Sequence, residues 1–341
     1  MDVLDRVRGC LLGGAIGDAL GAPIEFLSLR QIRRDHGEQG LSGYATTWRG
    51  RSALVTDDTQ MTLFTLEGLL NSRPTQTGAA HQDGGTTTAA VREAYLRWLD
   101  TQEHSAPPPA DRPHRTGRLR EEGWLYSRRA PGNACLSGLR RPFPGPSPLG
   151  RPGPVNPDSK GCGTVMRSAP FGLVTTDARA AFETAAACAQ ITHGHPTGYL
   201  AAGAFAAVVA GLMAGAALEP AVLRALELLA ACPAHEETST ALDAAVKLAA
   251  QGAPTPERVE SLGGAWVAEE ALAIGVYCAL AEPSVERALL LSVNHSGDSD
   301  STGSVCGNLL GALHGAAALP AAWLAPLEGR ETIERLAAEL A

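Results

Sequence analysis

The sequence predicts an all-α fold: a single large helical domain over residues 1–341, with about a dozen or more helices and long functional loops carrying the polar residues. Three observations predict it. Apolar residues make up 45% of the chain but aromatics only 5%, so the core is built of Ala, Leu and Val, which suits closely packed helices better than aromatic-rich sheets. Long runs repeat their apolar residues at helical spacing, most clearly over 176–251, and no stretch shows strand alternation or a repeat of fixed period.

Composition also excludes. A chain of 341 residues can bury a substantial core. Its net charge of −8 argues against general nucleic-acid affinity. Seven scattered cysteines without a Cys-x-x-Cys pair lead to the expectation of a reduced, cytoplasmic protein. Asp2, Asp5, Arg6 and Arg8 interrupt what a signal peptide would need. The Ala-rich run from Tyr199 to Leu218 comes nearest to a membrane span, but its Gly and Ala residues suit a buried helix, and no membrane contact is expected.

Residues 1–21 set Leu4, Val7, Leu11, Ala15 and Ile16 at helical spacing, with Gly9, Gly13, Gly14 and Gly17 among them. Glycine weakens an isolated helix, so this one is expected to press closely against a neighbour. The chain then turns at Gly21-Ala22-Pro23 and presents Glu25, and 27–52 reads as loop. A second helix begins at Thr56-Asp57-Asp58-Thr59-Gln60, where Asp57 and Gln60 fit a capping box. Loops are expected at 71–88, 103–122 and 140–158, with a helix at roughly 88–101.

Nine arginines lie between Arg112 and Arg151, forming either a solvated surface or a place for a phosphate-bearing ligand. Within and beside this region are two turns, Pro131-Gly132-Asn133-Ala134-Cys135 and Ser159-Lys160-Gly161-Cys162-Gly163-Thr164. Each precedes a segment able to be helical, so its N–H groups could receive phosphate oxygens. Neither is a Walker or Rossmann motif. The helical run over 176–251 breaks at Thr192-His193-Gly194-His195-Pro196 and near Cys232-Pro233; a zinc pair at the two histidines lacks a third ligand. Two more helical runs fill 256–293, and an amphipathic helix closes the chain over 330–341.

The stretch from Asn294 to Ser304 interleaves Asp298 and Asp300 with Ser299, Ser301 and Thr302 between glycines. These are hard oxygen ligands, suited to magnesium, manganese or calcium rather than zinc. A plain capping loop would account for this cluster alone. An EF-hand loop from Asp298 fails because Leu309 stands where a bidentate Glu is needed. Asp298-x-Asp300-x-Thr302 also spells the signature of haloacid-dehalogenase-type phosphatases, with Asp298 as nucleophile. That motif ends the first strand of a doubly wound sheet, and only 39 residues follow Thr302 here. Capping explains one carboxylate at 57–58 but not two, and clusters more than 200 residues apart would repel if brought together without a cation between them. A shared metal site accounts for both.

Four stretches together resemble the ADP-ribosylglycohydrolase family, also called the dinitrogenase-reductase-activating glycohydrolase family. They are Gly9 to Gly21 with Glu25, Thr56-Asp57-Asp58, Lys160 to Arg167, and Gly297 to Ser301. The resemblance implies an all-α fold with a binuclear centre of two Mg2+, sometimes Mn2+. By position, Thr56, Asp57 and Asp58 would bind metal from one side and Asp298, Asp300 and Ser301 from the other, with Thr302 beside Ser301 as a second candidate hydroxyl. Glu25 would be the flexible carboxylate near the scissile bond. Gly132 and Asn133 would lie near the phosphates. Ser159, Lys160, Gly161, Cys162 and Gly163 would hold diphosphate and adenosine, and His193 would face the substrate. Thr164 replaces a common glycine, and Lys160 replaces an aromatic that stacks on adenine in some relatives.

The implied chemistry is hydrolysis. A bound water would be acidified by the divalent pair and aimed at the anomeric carbon, with Asp57, Asp58, Asp298 or Asp300 accepting its proton and Glu25 assisting. ADP-ribose would leave an ADP-ribosylated protein, from arginine by preference, with serine or a small-molecule conjugate as alternatives. The rivals of other classes are the phosphatase and a non-catalytic, crystallin-like relative.

Overall fold

The computed structural model describes residues 2–47, 50–72 and 84–341. Among them are sixteen α-helices, four short 3-10 turns and no strand, only an isolated bridge between Gly161 and Val267. The phosphatase reading, which requires a parallel sheet, is thereby overturned.

The first helix, α1 (Val3–Gly21), leads into a turn and a short helix, α2 (Leu29–His36). The sequence pattern predicts loop over 27–52. The helix forms because Ser28 and Gln31 make a capping box while Leu29 and Ile32 are buried; its other residues are polar and hide the period. Next come α3 (Asp57–Ser72) and α4 (Gly84–Glu103). The expected 71–88 loop therefore shrinks: residues 73–83 lie outside the described residues, and 84–88 already belong to α4. The Asp57–Gln60 capping box is also corrected. Gln60 Nε2 instead donates to Ser127 O, and its Oε1 accepts from Trp98 Nε1 and Gln102 Nε2.

Residues 104–132 and 140–158 form connections without α-helix around α5 (Asn133–Leu139), as their Pro and Gly content predicts. The apolar middle of the chain supplies α6 (Ala169–Leu173), α7 (Ala178–Ala189), α8 (Pro196–Met213), α9 (Leu218–Ala230) and α10 (Glu236–Ala249). By length and composition α8 could cross a membrane, yet 89% of it is buried within the fold. The 256–293 stretch forms α11 (Pro256–Glu260), α12 (Ala268–Ala281) and α13 (Val285–Val293), one more than the sequence suggests. The chain ends with α14 (Ser299–His314), α15 (Ala321–Leu324) and α16 (Arg330–Leu340).

The most extensive packing is between α1 and α14, which run antiparallel. Gly9, Gly13 and Gly17 of α1 face Gly311, Gly307 and Gly303 of α14, each set at four-residue spacing along one face. A Cβ at Gly17 would lie 1.9 Å from Gly303 O, and one at Gly311 would lie 1.8 Å from Gly9 O. Backbone touches backbone, as the glycines of α1 predict. Asn308 adds a cross-helix bond from Nδ2 to Cys10 O at 2.8 Å. Residues 299–312 are all buried, with α12, α13 and α8 also packed against α14.

Alanine at Gly17 should therefore cost at least about 1–3 kcal/mol through overpacking. Alanine at Gly123, whose Cβ would meet nothing within 4 Å, should stay within about 0.5 kcal/mol. Urea denaturation of both variants checks this, and equal stabilities would contradict the close helix contact.

Candidate active site

The register of α1 on α14 brings two chain ends together. A Cβ at Gly21 would touch Ser299 and Asp300, so the turn carrying Glu25 lies beside the start of α14. Glu25, Asp298 and Asp300 place one carboxylate oxygen each within 4.8 Å of one another. Asp57 and Asp58, at the start of α3, line the same cavity of about 790 Å³, as does Ser301.

These carboxylates are not spent on capping. Asp298 occupies the N-cap position of α14 without a side-chain cap bond, and its Oδ2 accepts from Cys162 Sγ at 2.7 Å. Asp58 Oδ1 is buried with no hydrogen-bond partner. Asp57 Oδ2 accepts from Gly132 N at 3.3 Å. Burial first, and then the charge of Asp300, push the Asp57, Asp58 and Asp298 carboxyls well above the usual range. Glu25 rises to about 10 through burial and then through Asp300, Asp298, Asp57 and Asp18. Crowded, desolvated carboxylates with an orphaned oxygen suit a hard divalent cation.

Asp18 is a residue that sequence reasoning left unassigned. It accepts from Thr56 N and Thr59 N at 3.0 and 3.1 Å and from Thr59 Oγ1 at 2.5 Å. The α1 helix thus fixes the turn from which Asp57 and Asp58 project. Burial and then Asp300 raise the Asp18 carboxyl to about 7 despite those bonds. Its sequence signal was a lone carboxylate in a Gly- and Ala-rich helical run.

The two hydroxyls that the sequence left as alternatives are in different surroundings. Thr302 Oγ1 bonds Ser292 O at 2.6 Å and His295 Nε2 at 2.8 Å, fully buried, whereas Ser301 lines the cavity. Thr56 borders a neighbouring cavity, and its Oγ1 accepts from Asp58 N at 3.3 Å.

Gly132, Asn133, Ser159, Gly161, Cys162, Gly163 and His193 line the same central cavity. Lys160 does not join them: its ammonium is held by Glu237 at 2.9 Å and Glu269 at 2.6 Å. His193 Nδ1 pairs with the Thr192 hydroxyl at 2.7 Å, which also accepts from Arg167 Nη2 at 2.6 Å. Burial and then the Arg167 charge lower the His193 imidazole to about 3, so it stays neutral. His195 Nδ1 instead accepts from Thr197 N at the start of α8, and the histidines share no metal-sized cluster.

Four of the nine arginines are ion-paired with distant acids: Arg115 with Asp100, Arg118 with Glu339, Arg129 with Glu328 and Arg140 with Glu103. Arg128 lines the central cavity. At the rim, Phe26 and Trp266 stack with ring centroids 5.1 Å apart; both are exposed, and neither had a sequence signal.

Comparison with known proteins finds similarity along the whole chain. The family profile described as ADP-ribosylglycohydrolase matches residues 1–341. The chain is 25% identical to the ADP-ribosyl-[dinitrogen reductase] glycohydrolase of Rhodospirillum rubrum, covering 96% of this chain and 91% of that one. It is 25% identical to ADP-ribosylarginine hydrolase Tri1 of Pseudomonas putida, covering 99% and 78%, and 26% identical to ADP-ribosylhydrolase ARH3 of Bos taurus, covering 99% and 92%. A solved structure titled "ADP-ribosylglycohydrolase-related protein complex" superposes with TM-score 0.67 at 25% identity, covering 99% of this chain and 97% of that one.

The raised carboxyls set a pH dependence. Where a folded carboxyl keeps its proton above the unfolded value, the folded state binds more protons and stability falls as pH rises. Between pH 7.5 and 8.5 the histidines add almost nothing, because His114, His193 and His295 are lowered in the fold and an unfolded histidine has lost nearly all its protons about one unit above 6.5. In EDTA the melting temperature should therefore fall across that window, driven by Glu25 and its neighbours. Differential scanning calorimetry reads it, and a melting temperature that rises with pH would contradict the packed carboxylates.

Proposed function

The chain belongs to the ADP-ribosylglycohydrolase family and is a hydrolase of glycosidic ADP-ribose linkages; we propose that it removes mono-ADP-ribose from arginine of modified proteins. The observation that carries the reading is a single cleft in which carboxylates from both ends of the chain face glycine-rich turns. Arginine is favoured because the relatives with a named acceptor in their description include an ADP-ribosylarginine hydrolase.

We assign two Mg2+, or Mn2+ in their place, to Thr56, Asp57, Asp58, Asp298, Asp300 and Ser301, a set of hard oxygen donors. Bound there, such a pair supplies Lewis acidity and an acidified water. The protein's own residues do the rest. Glycosidic hydrolysis needs a base for the attacking water and a proton for the leaving group. Asp57, Asp58 or Asp300 takes the first role, while Glu25, at the joint between two cavities, positions the scissile bond or moves the proton. Gly132, Asn133, Ser159, Gly161, Cys162 and Gly163 receive diphosphate and adenosine on their glycine-rich turns. The N–H groups of Gly132, Ser159 and Cys162 are already engaged by Asp57, Asn156 and Trp266, and neutral His193 faces the substrate. Lys160 is left out because both of its contacts are carboxylates. Seven free cysteines fit a reducing compartment, and we place the protein in the cytoplasm.

Incubation with ADP-ribosylated arginine and serine peptides, read by mass spectrometry, tests the reading. Release from arginine should require added magnesium and stop in EDTA. Asp58→Asn should lower kcat at least about 100-fold, in line with loss of a catalytic proton acceptor. Release from neither peptide with magnesium present defeats the proposal, and release from serine alone replaces arginine by an O-linked acceptor.

A further inference from the structure

Glu25 and Phe26 line two cavities at once. One is the central cleft; the other, of about 390 Å³, adjoins it, with Arg128 and Ala130 also shared between the two. None of Gly132, Asn133, Ser159, Gly161, Gly163 or His193 borders this second cavity. Phe26 holds a left-handed φ of 70° at the partition, a strained state that persists only where the surroundings impose it.

In an ADP-ribosyl conjugate the diphosphate leaves the distal ribose at C5′ and the acceptor leaves at C1′, on opposite sides of the ring. With the diphosphate on the glycine turns, the acceptor must depart past Glu25, away from those turns. We propose that the second cavity is the acceptor subsite and that it takes the side chain of an ADP-ribosylated arginine; this rests on the function proposed above.

The walls fit that chemistry. Pro23, Leu54 and Val55 offer apolar surface for the methylenes of a long side chain, which lie on such surfaces while the head stays polar. The head meets Glu25 and the Phe26 ring, and planar guanidinium groups stack on aromatic faces. Arg129 also lines the cavity, but Glu328 offsets its charge and it donates to Val55 O at 2.6 Å. Arg128 stands exposed at the mouth, where water and salt screen it. The volume falls within the roughly 300–1,000 Å³ of ligand sites, whereas a serine acceptor would leave most of it empty.

The test fills or widens the cavity away from the carboxylates. Thr46 is exposed and lines only this second cavity, so Thr46→Trp adds bulk without touching the core, and Leu54→Ala removes wall. With magnesium, Thr46→Trp should raise KM for an ADP-ribosylarginine peptide about tenfold, and Leu54→Ala should raise it about threefold. Calorimetric affinity for free ADP-ribose should stay within about twofold of wild type in both. KM unchanged in both variants overturns the assignment, and so does an ADP-ribose affinity that falls as far as KM rises. If wild type cleaves only the serine-linked peptide, the arginine reading falls on that result alone. The same variants, assayed on that peptide, then decide whether the cavity receives the acceptor at all.

Discussion

The close approach of α1 to α14 is the constraint on which the rest of the molecule depends. Two helices from opposite ends of the chain touch through backbone atoms, which only glycine at Gly9, Gly13, Gly17, Gly303, Gly307 and Gly311 permits. Such a contact has one register, since a slip would drive side chains into backbone. That register sets Gly21 against Ser299 and Asp300, and it delivers Glu25 to the acidic loop. Dispersion between closely packed backbones and burial of the surrounding Ala, Leu and Val residues offset the helix propensity that so much glycine forfeits.

The same geometry creates an electrostatic cost. Asp18, Asp57, Asp58 and Asp298 are all nearly inaccessible, with Asp300 among them, and burial together with mutual repulsion raises the carboxyls whose shifts are resolved. Asp18 is compensated by backbone and hydroxyl donors. Asp58 is not, since one of its oxygens lacks any partner. A fold does not retain such a group for stability; it is a feature of sites that work on something. The neutral imidazole of His193 in the same cavity adds no charge of its own, and Arg167 is held by Thr192, Cys135 and the Tyr95 ring.

Much of this was legible in the sequence. Glycines in a helical pattern implied a close neighbour, and paired acids at two helix starts implied more than capping. The identity of the neighbour was not legible, because the α1–α14 contact spans nearly the whole chain and no local pattern encodes it. The helix α2 was missed because two buried residues among charged ones, Leu29 and Ile32, give almost no period. The fate of the arginines was equally hidden: Arg118 and Arg129 are answered by Glu339 and Glu328, some 200 residues away. Lys160, placed by position in a binding loop, has its ammonium on Glu237 and Glu269, a pairing that no local pattern announces.

The central claim is that this helix register gathers the carboxylates around divalent ions. Anomalous diffraction from crystals grown with manganese tests it most directly. The account predicts two peaks, both within ligand distance of oxygens from the Asp57–Asp58 turn or the Asp298–Ser301 turn, and at least one bridging the two turns. An empty cleft at millimolar manganese, or peaks held by only one of the turns, would contradict it.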